Sequence, residues 1–359
     1  MFCTRTFLIS FFVSLLFAAC RPAEESATIV IVWQNGKAIG ISIPKSLLKD
    51  SGEPEMRLKI QLTGGQGEVL GTYKSDDDAV VFEPVVPLTR GLQYDVLFDG
   101  SLLSTVDVPK SDAAAPELIE VYPTQDTLPE NLLKIYLKFS QPMEEGRSLN
   151  HIFLLKDNLD TMKGTFLDLQ PELWNNDGTI LTLWLDPGRI KRDLIPNKIL
   201  GAPLEARGRY TLHVSVNWKS KEGVEMEKAF EKTFLTSSRD DQSPAPDFWK
   251  VKIPAAGSTD PLIVDVVESL DYSLLNDAIQ LVDKNDVLVV GRGEIENEER
   301  SFRFVVSEPW KAGDYILRME GRLEDLAGNN LNRPFDRDLK AKEKPNEERK
   351  VFERKFTIR

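Results

Sequence analysis

A turn that occurs three times constrains this chain more than any other feature. Pro87 to Tyr94, Pro203 to Tyr210 and Pro309 to Tyr315 each run from a proline through a glycine (Gly91, Gly208, Gly313) to a tyrosine. Proline fixes the backbone where the turn begins, and glycine supplies an angle other residues resist. The tyrosine then opens an alternating strand such as Tyr315, Leu317, Met319. Three copies predict three β units. A tyrosine so placed suits a Greek-key sandwich, with its ring in the core and its hydroxyl bonded to backbone near the strand start.

The N-terminus supplies an address. One positive charge at Arg5 precedes an apolar run from Phe7 to Phe17, which ends in Ala18-Ala19-Cys20. That pattern is a secretory signal over residues 1–19, and its run is too short to span a bilayer. With a cysteine where the small residues end, the segment resembles a bacterial lipoprotein signal. The resemblance implies lipidation of Cys20, attachment to the membrane through that lipid anchor, and a place in the cell envelope as an outer membrane lipoprotein. Residues 20–26 read as a polar tether. Its Glu24-Glu25 pair resembles the short acidic signal that sends some Bacteroidetes lipoproteins to the cell surface, which implies surface exposure.

Cysteine and charge narrow the options. The chain has two cysteines; Cys3 leaves with the signal and Cys20 carries lipid, so no disulfide staples the mature protein and cores must hold it together. A net charge of −12 argues against a nucleic-acid partner and against electrostatic binding to anionic lipid.

Domain one spans residues 27–110. Seven short β-rich runs, the first two joined through the hairpin signal Asn35-Gly36, read as a small sandwich. Residues 111–115 are a linker. Domain two, 116–238, opens on a strand with Leu133, Ile135, Leu137 and Phe139 on one face and Lys134, Tyr136 and Lys138 on the other, predicting one buried and one wet face. Domain three, 246–359, repeats it. Leu262, Val264 and Val266 follow Ile135, Leu137 and Phe139 at the same offset by which Ile279 and Leu281 follow Ile152 and Leu154, and Phe230 to Phe234 matches Phe352 to Phe356. Such tandem copies build stalks and arrays.

Within these copies, Val121-Tyr122-Pro123, Phe139-Ser140-Gln141-Pro142-Met143 and the closing Leu323 to Asn329 resemble the bacterial Ig-like domain found in S-layer proteins and in many Bacteroidetes lipoproteins. Domain three has Ser269 where the family would have the proline seen at Pro142. The resemblance implies an adhesive or architectural module with no family-wide catalytic residues. The expected fold class is therefore all-β: three tandem Ig-like or fibronectin-like β-sandwiches after a lipoprotein signal peptide.

The copies expose an insertion in domain two, roughly residues 186–200, whose Arg189, Lys191, Arg192 and Lys198 outnumber its acids in an otherwise acidic chain. It is read either as a basic finger for an acidic glycan, lipid phosphate or protein, or as a short helical turn over a sheet edge with its charges paired to neighbouring acids. Exposed aromatics are the other resource for binding, with Trp174, Trp184 and Trp218 as candidates. Trp249 and Trp310 are read as packing residues.

Chemistry is sparse. His151 and His213 stand without a partner at metal-ligand spacing, and no nucleophile elbow, zinc pair or phosphate loop is present. Asp76 to Asp78 and Asp283 to Asp286 are read as turns before calcium loops. Asp126-Thr127-Leu128 and Asp160-Thr161-Met162 resemble an O-glycosylation sequon. No cofactor or metal is expected. The leading expectation is a lipid-anchored envelope protein with a structural or partner-binding role and no catalysis. Its alternative is a glycan-binding accessory protein of a surface polysaccharide system. An enzyme would require an acid-lined cleft between domains with strongly shifted carboxylates.

Overall fold

The computed structural model describes residues 27–34, 36–48, 54–65, 67–336 and 348–359. The signal, Cys20 with its tether, and Asn35 lie outside them. The fold is all-β, and the chain divides into two compact units, 1–110 and 111–359.

The described part of the first unit holds seven strands: β1 (Val30–Gln34), β2 (Lys37–Pro44), β3 (Leu58–Leu62), β4 (Gly71–Ser75), β5 (Ala79–Pro84), β6 (Gln93–Phe98) and β7 (Ser101–Asp107). They form two sheets, ordered β1-β2-β5-β4 and β3-β6-β7. Alternation decides which side chains go inside. Ile41 and Ile43 of β2, Val80 and Phe82 of β5, Ile60 of β3 and Val96 of β6 are nearly inaccessible and form one core between the sheets.

The second unit holds two sandwiches built to one plan. The first has β8 (Leu118–Tyr122), β9 (Thr127–Pro129), β10 (Lys134–Phe139), β11 (Ile152–Lys156), β12 (Asp160–Thr161), β13 (Leu173–Trp174), β14 (Ile180–Trp184), β15 (Arg209–Val214) and β16 (Phe230–Ser237), with helices α1 (Pro187–Ile190) and α2 (Ile195–Leu200) between β14 and β15. Its sheets are ordered β13-β14-β10-β8 and β12-β11-β15-β16-β9. The second has β17 (Lys250–Lys252), β18 (Leu262–Asp265), helix α3 (Tyr272–Asp277), β19 (Ile279–Asp283), β20 (Gly291–Glu296), β21 (Ser301–Val306), β22 (Gly313–Glu320) and β23 (Val351–Ile358). Its sheets, β20-β21-β18-β17 and β19-β22-β23, repeat the order of the first among the described residues, without counterparts of β12 and β9. Each sandwich has its own core, one around Leu137, Tyr210 and Trp218 and the other around Val264, Trp249 and Trp310.

The recurring turn does what its spacing predicts. Tyr94, Tyr210 and Tyr315 are buried. The Tyr94 hydroxyl accepts from the Thr89 amide (3.0 Å) and that of Tyr210 from the Glu205 amide (2.9 Å), whereas Tyr315 donates to the Lys311 carbonyl (2.9 Å). Gly91 takes the expected left-handed backbone (φ +76°). Gly208 requires a correction: Arg207 carries the positive φ (+60°), and Gly208 is there because a Cβ would lie 2.6 Å from the Tyr210 ring.

A second correction concerns β10. Its supposedly wet face is not wet: Tyr136 is 5% exposed and the Lys134 side chain 11%. Periodicity distinguishes two faces of a strand, but it does not say what later part of the chain will cover the polar one. Here the second sandwich of the unit covers it.

Candidate functional site

The face of β10 that carries Lys134 and Tyr136 meets the start of α3 and the loop after β22, and buried polar groups gather there. Asp271 caps α3, accepting from the Leu274 amide at 3.0 Å. The same carboxylate accepts from the Tyr136 hydroxyl (2.7 and 2.8 Å) and pairs with Lys134 Nζ (3.1 Å). Lys134 also pairs with Glu324 at 2.5 Å and lies over the Trp184 ring, 4.9 Å from its centroid. Burial works against the lysine's charge, yet Asp271 and Glu324 outweigh it and hold its pKa above the ordinary value. Around this centre Tyr122 stacks on Tyr272 (3.6 Å between centroids), and buried Glu299 accepts from both the amide and the hydroxyl of Thr124. The Leu133 amide donates to the Leu326 carbonyl, and Gly328 sits so close that a Cβ there would clash with the Leu133 side chain.

A cleft of about 560 Å³ opens elsewhere at this junction, lined by Asp240, Glu268, Asp325, Arg239 and Arg300 among others. Asp240, Glu268 and Asp325 each place a carboxylate oxygen within 4.8 Å of the other two. Among the described residues no ion pair joins any of the three to a lysine or arginine; Arg239 pairs with Asp241 and Asp336, and Arg300 with Glu298. Burial, with Asp240 adding repulsion, pushes Glu268 up to about 7. Burial likewise pushes Asp325 up to about 8 against the bonds it receives from Asn329, with Asp240 and Glu268 adding to the shift.

This is the acid-lined cleft an enzyme would need, so what each acid is free to do matters. Asp325 is 2% exposed and its oxygens are occupied by the Ala327 and Asn329 amides and the Asn329 side chain. Asp240 accepts from the Gln242 amide, and its own backbone is clamped by Asn131. Glu268 alone has no hydrogen bond among the described residues. Three oxygens of this kind supply part of a hard-cation shell, which takes about 6–8 oxygen ligands for calcium.

The basic insertion folds nearer the second of its two sequence readings, as two short helices, with Arg192 and Lys198 paired to acids but Arg189 and Lys191 held otherwise. Asp186 caps α1, with Pro187 at the first helical position. Arg189 is corrected as a binding candidate: it is 5% exposed, and its guanidinium donates to the carbonyls of Gly164 (2.6 Å), Gly201 (3.0 Å) and Ala202 (3.1 Å), closing the insertion on itself. Arg192 pairs with Asp336 and Asp241, Lys191 lies over the Phe335 ring, and exposed Lys198 stands 3.5 Å from Asp193.

The tryptophans divide likewise. Trp218, offered as exposed, is 1% exposed, stacked with His151 and edge-on to Phe139, so it belongs to the core. Its neighbouring turn residues hid that. Trp184 does face away from Leu183 and Leu185, but toward Lys134. Trp174 is half-buried and lines a groove with Tyr272. His213 bonds Glu231 on the exposed side of its sheet, and Asp76 and Asp283 each accept from amides of their own turns. Thr127 and Thr161 are exposed. The sequence reading missed Asp271, Glu324, Glu299 and the Asp240, Glu268 and Asp325 group. Local signals marked only part of this, the Asp271 helix cap and the Asp325 turn bonds; what brings the groups together are residues distant in the chain.

No protein-family model matches the chain, and no curated protein sequence is similar to it. Among solved structures, it is similar to the MG0-NIE-MG1 domains of Escherichia coli alpha-2-macroglobulin at 13% identity and TM-score 0.24, over 58% of this chain and 67% of that one. It spans 13% of the whole native form of the same protein. It is also similar to the I9-I11 tandem of titin (10% identity, TM-score 0.21, covering 81% and 94%) and to chicken CNTN1 FN1-FN3 (10%, 0.19, covering 84% and 93%). At these scores the likenesses carry no weight, and the fold is established by the chain's own strands and sheets.

Proposed function

We propose that this protein is a lipid-anchored component of the cell envelope that presents its sandwiches to a partner and does no chemistry itself. The observation that supports this best is the junction of the second unit. Two sandwiches that the sequence marks as copies are tied by a buried lysine, two carboxylates and a tyrosine hydroxyl, so their meeting faces are spent on holding one arrangement. The acids in the adjoining cleft are largely committed to loop bonds, which favours architecture over turnover. The lipoprotein-like signal ending at Cys20 supplies the anchor.

The test is made on cells expressing the full chain. The wild-type protein is expected to partition into the detergent phase and to carry labelled fatty acid, with Cys20→Ser moving it to the aqueous phase. Crosslinking on intact cells, followed by identification of what is captured, is expected to recover a discrete envelope partner. Aqueous partitioning of the wild type would overturn the anchor.

A further inference from the structure

The structure assigns a saccharide-binding groove to the junction of the second unit, formed between the edge strand β13 and helix α3, with a neutral glycan as its ligand. The groove encloses about 550 Å³, within the roughly 300–1,000 Å³ of small-ligand sites. Its floor and walls include Trp174, Tyr136 and Tyr272, and its rim carries the amides of Asn176 and Asn276 and the carboxylate of Asp277.

Two properties mark it as built for a ligand. The aromatic rings are fixed from behind. The Trp174 indole donates to Glu172 at 2.9 Å, and Glu172 is itself held by the Gly146 and Ser148 amides and the Ser148 hydroxyl. Tyr272 is stacked on Tyr122, and Tyr136 is bonded to Asp271. Rings that do not have to be ordered on binding save the entropy that ordering costs. The rim is the reverse: among the described residues the side chains of Asn176, Thr182, Ser273 and Asp277 make no hydrogen bond to the protein, leaving donors and acceptors free.

Fixed aromatic surface beside an unengaged amide (Asn176), hydroxyls and a carboxylate suits a pyranose, which has an apolar C–H face and a ring of hydroxyls. The charge excludes anionic sugars. Glu172 and Asp277 line the groove and no lysine or arginine does. Glu172 stays ionised, since burial would raise its pKa but the bonds from Ser148, Trp174 and Gly146 bring it below the ordinary value. The site draws on both sandwiches, so neither would form it alone. It does not depend on the lipid anchor, and Cys20→Ser is expected to leave binding unchanged, so the two proposals fail separately.

The purified full chain is titrated with neutral linear hexasaccharides of β-1,4-glucose, β-1,3-glucose, β-1,4-mannose, β-1,4-xylose and α-1,4-glucose, and with polygalacturonate as the anionic control. Calorimetry and tryptophan fluorescence report binding. At least one neutral hexasaccharide is expected to bind with a Kd between about 10 μM and 1 mM, a free energy of roughly −4 to −7 kcal/mol, with none for polygalacturonate. Trp174→Ala is expected to weaken binding at least tenfold. Because that ring also touches Phe139 and Trp218, the double variant Asn176→Ala with Asp277→Ala, both exposed, decides the matter: a threefold to tenfold loss at unchanged melting temperature supports the groove. Saturable binding to no neutral member, preference for polygalacturonate, or undiminished affinity in the double variant would overturn it.

Discussion

Two groups of buried or half-buried carboxylates sit at one junction and differ chiefly in whether a cation faces them. Asp271 and Glu324 face Lys134, while Asp240, Glu268 and Asp325 face one another with no bonded cation among the described residues. In the first group the lysine remains charged, its pKa raised, and Glu324 is pushed up by burial with Lys134 pulling against it. In the second, burial and mutual repulsion move Glu268 to about 7 and Asp325 to about 8. Burial therefore does not fix the state of a carboxylate; the company it is buried with does. The first group is tied together by a charged lysine, whereas the second has only mutual repulsion to answer its burial and makes the junction more sensitive to protons.

The most direct way to break this contrast is to take the cation away. Lys134→Met leaves Asp271 and Glu324 buried and uncompensated, and removing one partner of such an arrangement costs about 3–5 kcal/mol. Urea unfolding of the whole chain, followed by tryptophan fluorescence, measures it well, because Trp33 is the only one of the six tryptophans in the first unit. A loss below about 1 kcal/mol would mean that the lysine is not what holds this group together.

A finer cut removes only the hydroxyl. Tyr136→Phe deletes the donor that Asp271 receives at 2.7 Å and keeps the ring. Hydrogen bonds to charged groups contribute about 1.5–3 kcal/mol, so the same unfolding experiment is expected to show a loss near 2 kcal/mol. If Lys134 compensates Asp271 by itself, the loss would fall below about 0.5 kcal/mol.

The strand rhythm, the three tyrosine turns and the repeat relating the two sandwiches of the second unit were legible because each is local or periodic. Ile135, Leu137 and Phe139 announce an inward face by alternation alone, and Tyr94, Tyr210 and Tyr315 announce their hydroxyl bonds by spacing from a turn. The junction was not legible, for a physical reason. Lys134 and Tyr136 look like solvent-facing residues on any strand, and the groups that bury them, Asp271 and Glu324, are more than a hundred residues away. The copy offers no help, since Pro261 and Ile263 stand at the corresponding positions. The insertion misled for a related reason: Arg189 counts as one more positive charge in a basic run, yet its guanidinium is consumed by backbone carbonyls that only the folded loop brings together.

The smallest effect sharpens the comparison most, because it works on the uncompensated group and has a sign that depends on pH. Glu268 and Asp325 have raised pKa values when folded, so between their ordinary values (4.5 and 3.8) and about 7 and 8 the native protein holds protons that the unfolded chain has released. Stability contributed this way is complete below the ordinary values and is lost as pH rises toward 8. Lys134, also raised, loses its contribution only above its ordinary 10.5 and adds no slope in this range. Glu299 and Glu324, also raised by burial, add slope of the same sign, whereas His151, lowered by burial, opposes it up to about its ordinary 6.5; the melting temperature is thus expected to fall from pH 6.5 to 8.5. Glu268→Gln removes one of the three charges without breaking any hydrogen bond among the described residues, so it should raise melting a little at pH 5.5, which already lies above the ordinary 4.5, and by more at pH 8.5. A gain of about 1 kcal/mol there corresponds to roughly 2–4 °C for a unit of this size. An equal shift at both pH values, or destabilisation at pH 8.5, would show that the three acids do not share protons and that the junction has one kind of carboxylate group rather than two.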